Sequence, residues 1–370
     1  MWIHEYPEWP SFFWRSEHLM TLLGKVRWRQ GYLLGRMRSL DKALRQEALL
    51  DVHTDEVVAS SAIEGMRLNS AEVRSSIARR LGITTGGLVP SSRYIDGVVE
   101  MMLDAVRQFN APLTKERLFS WHAALFPTGR SGLVPIATAQ WRAPDAGPMQ
   151  VVSGAIGHEK VHFEAPAATR VDQEMVAFLK WFAHDASTDP VLKAGIAHLW
   201  FITIHPFEDG NGRIARAITD MALARADQSA ERFYSLSRQI EIERSDYYDQ
   251  LERQQRGTLD ITQWLVWFLS CIDRALDASE ATVGRILAKA AIWEQLKHHP
   301  ANERQRKILG RMLSDDFEGF MNTRKYARMA QCSKDTALRD IQALMAWGIL
   351  IQNPGGGRSV SYRIVDDPLA

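Results

Sequence analysis

Leu192-Lys-Ala-Gly-Ile-Ala-His-Leu-Trp-Phe-Ile-Thr-Ile204 runs directly into His205-Pro-Phe-Glu-Asp-Gly-Asn-Gly-Arg-Ile-Ala-Arg216, and the junction between the two decides how this chain is read. The first half is apolar at helical spacing. Pro206 disfavours α geometry at the residue before it, so a helix over 192–204 ends at His205 and leaves the imidazole at a loop mouth. Gly210-Asn-Gly212 is then a turn whose glycines let backbone N–H groups approach a ligand, and it opens into a helix beginning near Arg213. Such a loop binds anions. Arg213 and Arg216 share one face in the first turn of that helix, where a cation opposes the positive helix end, so the pair points to a polyphosphate partner. Asp209 is a hard oxygen ligand able to hold Mg²⁺ against phosphate. His205 supplies a base with a pKa near neutrality. Any one of these residues alone reads as a turn, a helix-end histidine or a solvated arginine; together at this spacing they read as a phosphate-handling site.

The rest of the composition narrows the class without choosing within it. A length of 370 residues suits two or three domains, and 46% apolar with 24% charged residues is ordinary globular usage. Forty-five basic residues against 44 acidic give a net charge of +1, so bulk electrostatics argue for neither a nucleic-acid nor a membrane partner. Cys271 and Cys332 lie far apart, in or beside helical patterns, which speaks against a disulfide framework and leads us to expect two reduced, buried thiols. The N-terminus has prolines and acids where a secretory leader would be basic and then apolar. The most apolar stretch, Ala194 to Ile204, contains His198 and falls short of the roughly 20 residues of a membrane span. A soluble, cytoplasmic protein with no membrane partner is the expectation.

Working outward from the central junction, amphipathic patterns over Ile95–Phe109, Thr114–Leu125, Val171–His184, Gly212–Ala226, Ser245–Gln255 and Ile261–Asp273 give a mainly α-helical core over 91–276. One interruption, Met149 to Phe163, is rich in Val and Gly and reads as two short strands around a turn, a β-hairpin suited to be a flap. Residues 1–90 form a helical cap dense in Trp and Arg, including a helix over about 54–65 that stops at Gly65. Core packing is the expected role of its tryptophans. A helical linker over 277–300 leads to 301–370, where helices at Arg304–Leu313, Thr323–Ala330 and Ser333–Trp347 precede two strands around Pro354-Gly-Gly-Gly-Arg358. That order reads as a winged helix-turn-helix with Ser333 as N-cap of its third helix. Arg324, Lys325, Lys334, Arg339 and Arg358 make the module mildly basic, and both DNA and protein partners stay open to it.

The segment from His205 to Arg216 matches every fixed position of the His-x-Phe-x-Asp/Glu-Gly-Asn-Gly-Arg-x-x-Arg motif, and the chain on this ground resembles the Fic-domain proteins over roughly Leu113 to Asp273. The resemblance implies a protein adenylyltransferase. In that class, ATP is the co-substrate, His205 deprotonates a Ser, Thr or Tyr hydroxyl of a target protein, and the hydroxyl attacks the α-phosphate to expel pyrophosphate. By the same resemblance Phe207 anchors the loop, Asp209 holds Mg²⁺, and Asn211 with the Gly210 and Gly212 amides cradles phosphates. Arg213 and Arg216 neutralise the outer phosphate groups. Self-modification and a homodimer are compatible with it.

Three further stretches fit that resemblance. Ser60-Ser-Ala-Ile-Glu64-Gly65 is similar to the Ser/Thr-x-x-x-Glu-Gly/Asn inhibitory motif of the family, and Ser60 and Glu64 stand one helical turn apart, which lets Glu64 pair with Arg216. Tyr247, Tyr248 and Gln255 resemble the family's downstream adenosine element, although an Asn is frequent where Gln255 stands. The hairpin resembles the family's flap, with Lys160, Val161, His162 and Phe163 expected to register an extended target segment by strand addition. The same hairpin contains His158-Glu-Lys-Val-His162, a formal match to a zinc-protease signature that works only on a helix; strand-like neighbours mark it as coincidence. Two other functions stay in play: Glu64-dependent removal of AMP from modified protein, and a DNA-binding regulator whose core only senses nucleotide.

Overall fold

The computed structural model describes residues 1–83, 87–144, 147–154, 160–313, 317, 319–354 and 360–365. It is mostly helical with small β-hairpins, and divides into two compact units, Met1–Glu280 and Ala281–Ala370. The first unit begins with Ser16–Arg38 (α1), Lys42–Ile63 (α2), Ser70–Leu81 (α3), Arg93–Arg107 (α4) and Lys115–Leu125 (α5). Two antiparallel hairpins follow, Arg130–Ser131 with Val134–Pro135 (β1, β2) and Gln150–Ser153 with Lys160–Glu164 (β3, β4). Val171–His184 (α6), Pro190–Ile204 (α7), Asn211–Asp227 (α8), Leu236–Ile242 (α9), Arg244–Gln255 (α10) and Thr262–Lys297 (α11), whose last part belongs to the second unit, complete the order.

The core is organised by α7. Pro190 sits in its first turn and the Asp189 side chain accepts the Val191 N–H, a start signal of the usual kind. Every residue from Ala194 to Ile204 is buried, and a helix apolar all round belongs at the centre of a domain. It lies against α6 on one side and α8 on the other. Helix α4 packs its apolar face on α5 and α8, and α2 packs on α3 and α9.

Several sequence expectations need correction. The helix expected over about 54–65 is the last part of α2, which starts at Lys42 behind an Asp41 cap whose carboxylate accepts the Leu44 N–H at 3.0 Å. Helix α11 is continuous through 277 while the two compact units divide after Glu280, and Asp273, Asp277 and Glu280 bind the buried guanidinium of Arg29. The short helices α3 and α9 and the hairpin β1–β2 were not anticipated. Cys271 is buried as expected, but Cys332 is only partly so; both are free thiols. The aromatic N-terminus does pack: Trp9 and Phe12 meet Trp200 edge-on, and Trp2 and His4 cover Phe163. Trp28, however, is 67% exposed, stacked on Tyr32.

In the second unit, Glu303–Met312 (α12), Thr323–Ala330 (α13) and Lys334–Ala346 (α14) precede an antiparallel pair, Leu350–Gln352 (β5) and Tyr362–Ile364 (β6), in the order expected for a winged module. Ser333 caps α14 by accepting the Thr336 N–H. Ile308, Leu309, Tyr326, Ile341, Leu344 and Leu350 form its core. Arg358 lies outside the described residues. Among the described residues no helix is long and apolar enough to cross a membrane.

One glycine fixes the distance between α4 and α5. A Cβ on Gly97 would stand 1.9 Å from the Ala124 carbonyl oxygen, a backbone atom that cannot swing aside. Gly97→Ala should therefore lower unfolding free energy by about 1–3 kcal/mol despite its better helix propensity. Urea unfolding followed by tryptophan fluorescence tests this, and a variant as stable as the parent would contradict it.

Candidate active site

The loop after α7 is held by its own side chains. His205 adopts a left-handed conformation at φ 50°, ending the helix where Pro206 requires it. Phe207 is fully buried and stacks face to face on His122 at 4.2 Å. The Asn211 side chain closes the loop, its Oδ1 accepting the Phe207 N–H at 2.9 Å and its Nδ2 donating to the Phe207 carbonyl at 2.8 Å. Its amide thus makes two hydrogen bonds that close the loop on itself. Gly210 takes φ 82° at the start of α8, a conformation that suits glycine.

Two residues that sequence reasoning missed hold this loop from outside. Arg142, 4% exposed, donates from Nε to the His205 carbonyl at 2.8 Å and also reaches the Pro166 and Ile204 carbonyls, while its own backbone N–H donates to Pro206. All its partners are main-chain oxygens, so no sequence pattern announces it. His122 accepts the Ala139 N–H at Nδ1, which makes Nε2 the protonated nitrogen that donates to the Asp209 carbonyl at 3.1 Å. Burial pushes its pKa down to about 4, so it stays neutral in that role.

The same logic assigns the tautomer of His205. Its Nδ1 lies 3.1 Å from the Ile202 carbonyl and must carry the proton, leaving the Nε2 lone pair free. Burial first, and then the nearby Arg142 charge, lower its pKa, so the free imidazole is a base at neutral pH. It faces a cavity of about 530 Å³ lined also by Glu64, Asp209, Gly210, Gly212, Tyr248 and Gln255. That volume suits a nucleotide.

The loop turn carries two acidic side chains, Glu208, which accepts the Ala137 N–H at 2.9 Å, and Asp209. The carboxylate of Asp209 is the one set against an arginine: it receives the Ser131 hydroxyl and stands 3.5 Å from Arg213, with the side chain 41% exposed. Among the described residues no group of three or more His, Cys, Asp or Glu forms a metal cage. A partly exposed Asp209 carboxylate beside a candidate phosphate site nevertheless fits Mg²⁺, which keeps waters and takes phosphate oxygens as ligands.

The arginines are not a solvated face; they are 1% and 2% exposed. Arg213 donates to the Tyr94 hydroxyl at 2.7 Å and lies over the Phe126 ring. Arg216 donates to Ser60 Oγ and the Ser60 carbonyl, both at 2.8 Å, and to Glu64 at 2.7 Å. Ser60 therefore meets Arg216 while Glu64, one turn on, meets Gly212, one turn back, so α2 and α8 run in opposite directions along this contact. Gly212 permits it: a Cβ there would stand 2.0 Å from the Glu64 carboxylate.

The adenosine candidates separate. Tyr247 is buried, and its hydroxyl lies 2.9 Å from His198 Nε2, whose Nδ1 bonds Thr219; this network backs α8. Tyr248 is 38% exposed and donates to the Ile63 carbonyl at the end of α2. Gln255 is buried, 3.4 Å from Thr203 Oγ1.

The flap expectation also needs correction. Phe163 is buried beneath Trp2 and His4, His162 bonds Glu252, and the Val161 carbonyl accepts from Arg256 at 2.7 Å. Strand β4 is thus anchored to α10, and only Lys160 of the four expected residues is exposed. The free edge is that of β3, where Val152 is 47% exposed. Of the zinc-protease match, His162 lies in a strand and His158 outside the described residues.

Residues 112–223 match the Fic/DOC family, and residues 2–83 match a domain of unknown function, DUF4172. Proteins named Protein adenylyltransferase Fic are similar to this chain. The one from Nematostella vectensis is 22% identical over 240 residues, covering 63% of this chain and 50% of that protein. The one from Culex quinquefasciatus is 27% identical over 251 residues, covering 66% and 45%, and the one from Drosophila virilis is 33% identical over 250 residues, covering 66% and 46%. The chain spans about half the length of these relatives, or less. A Fic family protein from Desulfovibrio desulfuricans shares the fold across 95% of this chain and 97% of its own, with a TM-score of 0.57 at 19% identity. A Fic domain containing signaling protein from Bacteroides thetaiotaomicron covers 72% and 96%, with a TM-score of 0.50 at 20% identity. The chain carries a Fic/DOC domain.

Since burial and Arg142 both favour neutral imidazole, the His205 ring should titrate below pH 6.5, the ordinary value. NMR titration of histidine-labelled protein checks it, with His205→Ala identifying the resonance. A midpoint above 6.5 would contradict the arrangement.

Proposed function

We propose that the chain transfers AMP from ATP to a Ser, Thr or Tyr hydroxyl of a target protein. The observation that carries this reading is the His205 imidazole, held through Nδ1 by the Ile202 carbonyl and lining the cavity that the Gly210 and Gly212 turn also lines. His205 takes the proton from the target hydroxyl, whose oxygen forms the new bond to the α-phosphorus while the bond to the β-phosphate oxygen breaks and pyrophosphate leaves. The amides at the start of α8 and the two buried guanidinium groups offset charge that develops on the phosphates, commonly the largest catalytic contribution. Mg²⁺ at Asp209, when bound, would screen the phosphate oxygens. Target proteins would align on the open edge of β3.

Glu64 is the inhibitor in this reading. Its carboxylate occupies the Arg216 guanidinium that an outer phosphate of ATP would otherwise take. Because Glu64 lines the same cavity as His205, it is also placed to activate a water, which supports a second reading in which the chain removes AMP from modified protein. In the C-terminal unit the exposed Arg324, Arg328, Lys334 and Arg339 support a nucleic-acid partner for a winged module, testable by gel shift with duplex DNA.

Labelling of a lysate with α-labelled ATP distinguishes these. Glu64→Gly should raise AMP transfer by about tenfold or more, and adding His205→Ala should then lower it by roughly 10²- to 10⁴-fold. Equal labelling by parent and Glu64→Gly would sink the inhibitory role. AMP release from pre-labelled protein by the parent, lost in Glu64→Gly, would establish the second reading.

A further inference from the structure

The register of the flap hairpin contains one irregularity. Val151 pairs with Phe163 and Val152 with Val161, so His162 is an extra residue with no partner on β3. A bulge of this kind re-aims a side chain, and here it turns the imidazole towards two neighbours at once. His162 Nδ1 stands 2.5 Å from Glu252 Oε2 and Nε2 stands 2.6 Å from Ser153 Oγ. Glu252 is also met by Arg256 at 3.1 Å and Lys160 at 3.7 Å, and the His162 hydrogen bond followed by these charges holds its carboxyl below the usual range. An ionised Glu252 must accept the Nδ1 proton, so Nε2 is the acceptor and the Ser153 hydroxyl donates to it. Serine, histidine and glutamate stand in the relation that activates a hydroxyl as nucleophile.

The position of this hydroxyl defines its electrophile. Ser153 is exposed, ends β3 beside Gly154, and lines the same cavity as His205, Gly210 and Gly212, as do His162 and Glu252. A hydrogen bond that only stapled the flap to α10 would need Glu252 and His162; it would not need a solvent-facing hydroxyl on the second ring nitrogen. The electrophile offered in that cavity is a phosphoryl group.

We propose that Ser153 is an internal acceptor for AMP, activated by His162 and Glu252 rather than by His205. This rests on the adenylyltransferase reading of the site. The Ser153 oxygen forms a bond to the α-phosphorus of ATP, the bond from that phosphorus to the bridging oxygen breaks, pyrophosphate departs with the electron pair, and the Ser153 proton passes to His162 Nε2. The product is a flap carrying AMP at the mouth of its own site, where it occupies the place of a target hydroxyl.

The test uses the full-length Glu64→Gly protein, incubated with ATP and Mg²⁺, with its AMP sites mapped by peptide mass spectrometry and labelling of added lysate proteins measured alongside. AMP on Ser153 is expected, and His162→Asn in the same background should slow it by roughly 10²-fold or more. AMP on lysate proteins with none on Ser153 overturns the acceptor assignment and leaves the adenylyltransferase reading standing. Ser153 labelling that His162→Asn does not slow overturns the activating role. No AMP on any protein overturns both.

Discussion

A guanidinium that is 2% exposed has to be given an anion, and Arg216 is the position from which the rest of the site follows. Removing a charge of that kind from water costs several kcal/mol unless a partner is supplied in the interior. Two partners fit. One belongs to the chain: Glu64, at the end of α2, reaching across the Cα of Gly212. The other is a phosphate at the start of α8, where backbone N–H groups and the helix dipole already favour negative charge. In the proposed reading the two compete for the guanidinium, and that competition would turn an anion-binding loop into a regulated one. Ser60 accepts two further hydrogen bonds from Arg216, one at its hydroxyl and one at its carbonyl.

The remaining geometry holds the loop in place. Helix α2 is fixed two turns away by Glu56, which accepts from the Ser235 hydroxyl and the Ser237 N–H, so Glu56, Ser60 and Glu64 present one face at successive turns. On the opposite side Arg142 ties the His205, Ile204 and Pro166 carbonyls together, joining the end of α7 to the base of the flap. A buried cation with only carbonyl partners also favours the neutral form of the imidazole beside it. Phe207 on His122 and the Asn211 side chain on the Phe207 backbone complete a loop that needs no ligand to hold its shape.

What could be read from sequence follows from which forces leave a pattern. The junction from Leu192 to Arg216 was legible because Pro206, two glycines and paired arginines each carry a steric or electrostatic signature at fixed spacing. Glu64 facing Arg216 was legible for the same reason. Arg142 was not, since its partners are main-chain oxygens that any residue supplies. Helix α3 hides because much of its buried face is small, Ser75, Ser76 and Ala78 beside Val73 and Ile77, and α9 spans only 7 residues. The binding of Asp273, Asp277 and Glu280 to Arg29 was not legible, because that partner lies far away in sequence. The flap was visible as two strands, but alternation says nothing of which edge another element covers. Arg256 and Trp2, distant in the chain, decide that β4 is the closed edge and β3 the open one.

The competition for Arg216 is tested most directly by calorimetric binding of ATP and of AMP to the parent protein and to Glu64→Gly. AMP lacks the outer phosphates that would meet Arg216. The account predicts that Glu64→Gly tightens ATP by about tenfold or more and changes AMP by less than about twofold. Equal tightening of both nucleotides, or no change in ATP, would contradict it.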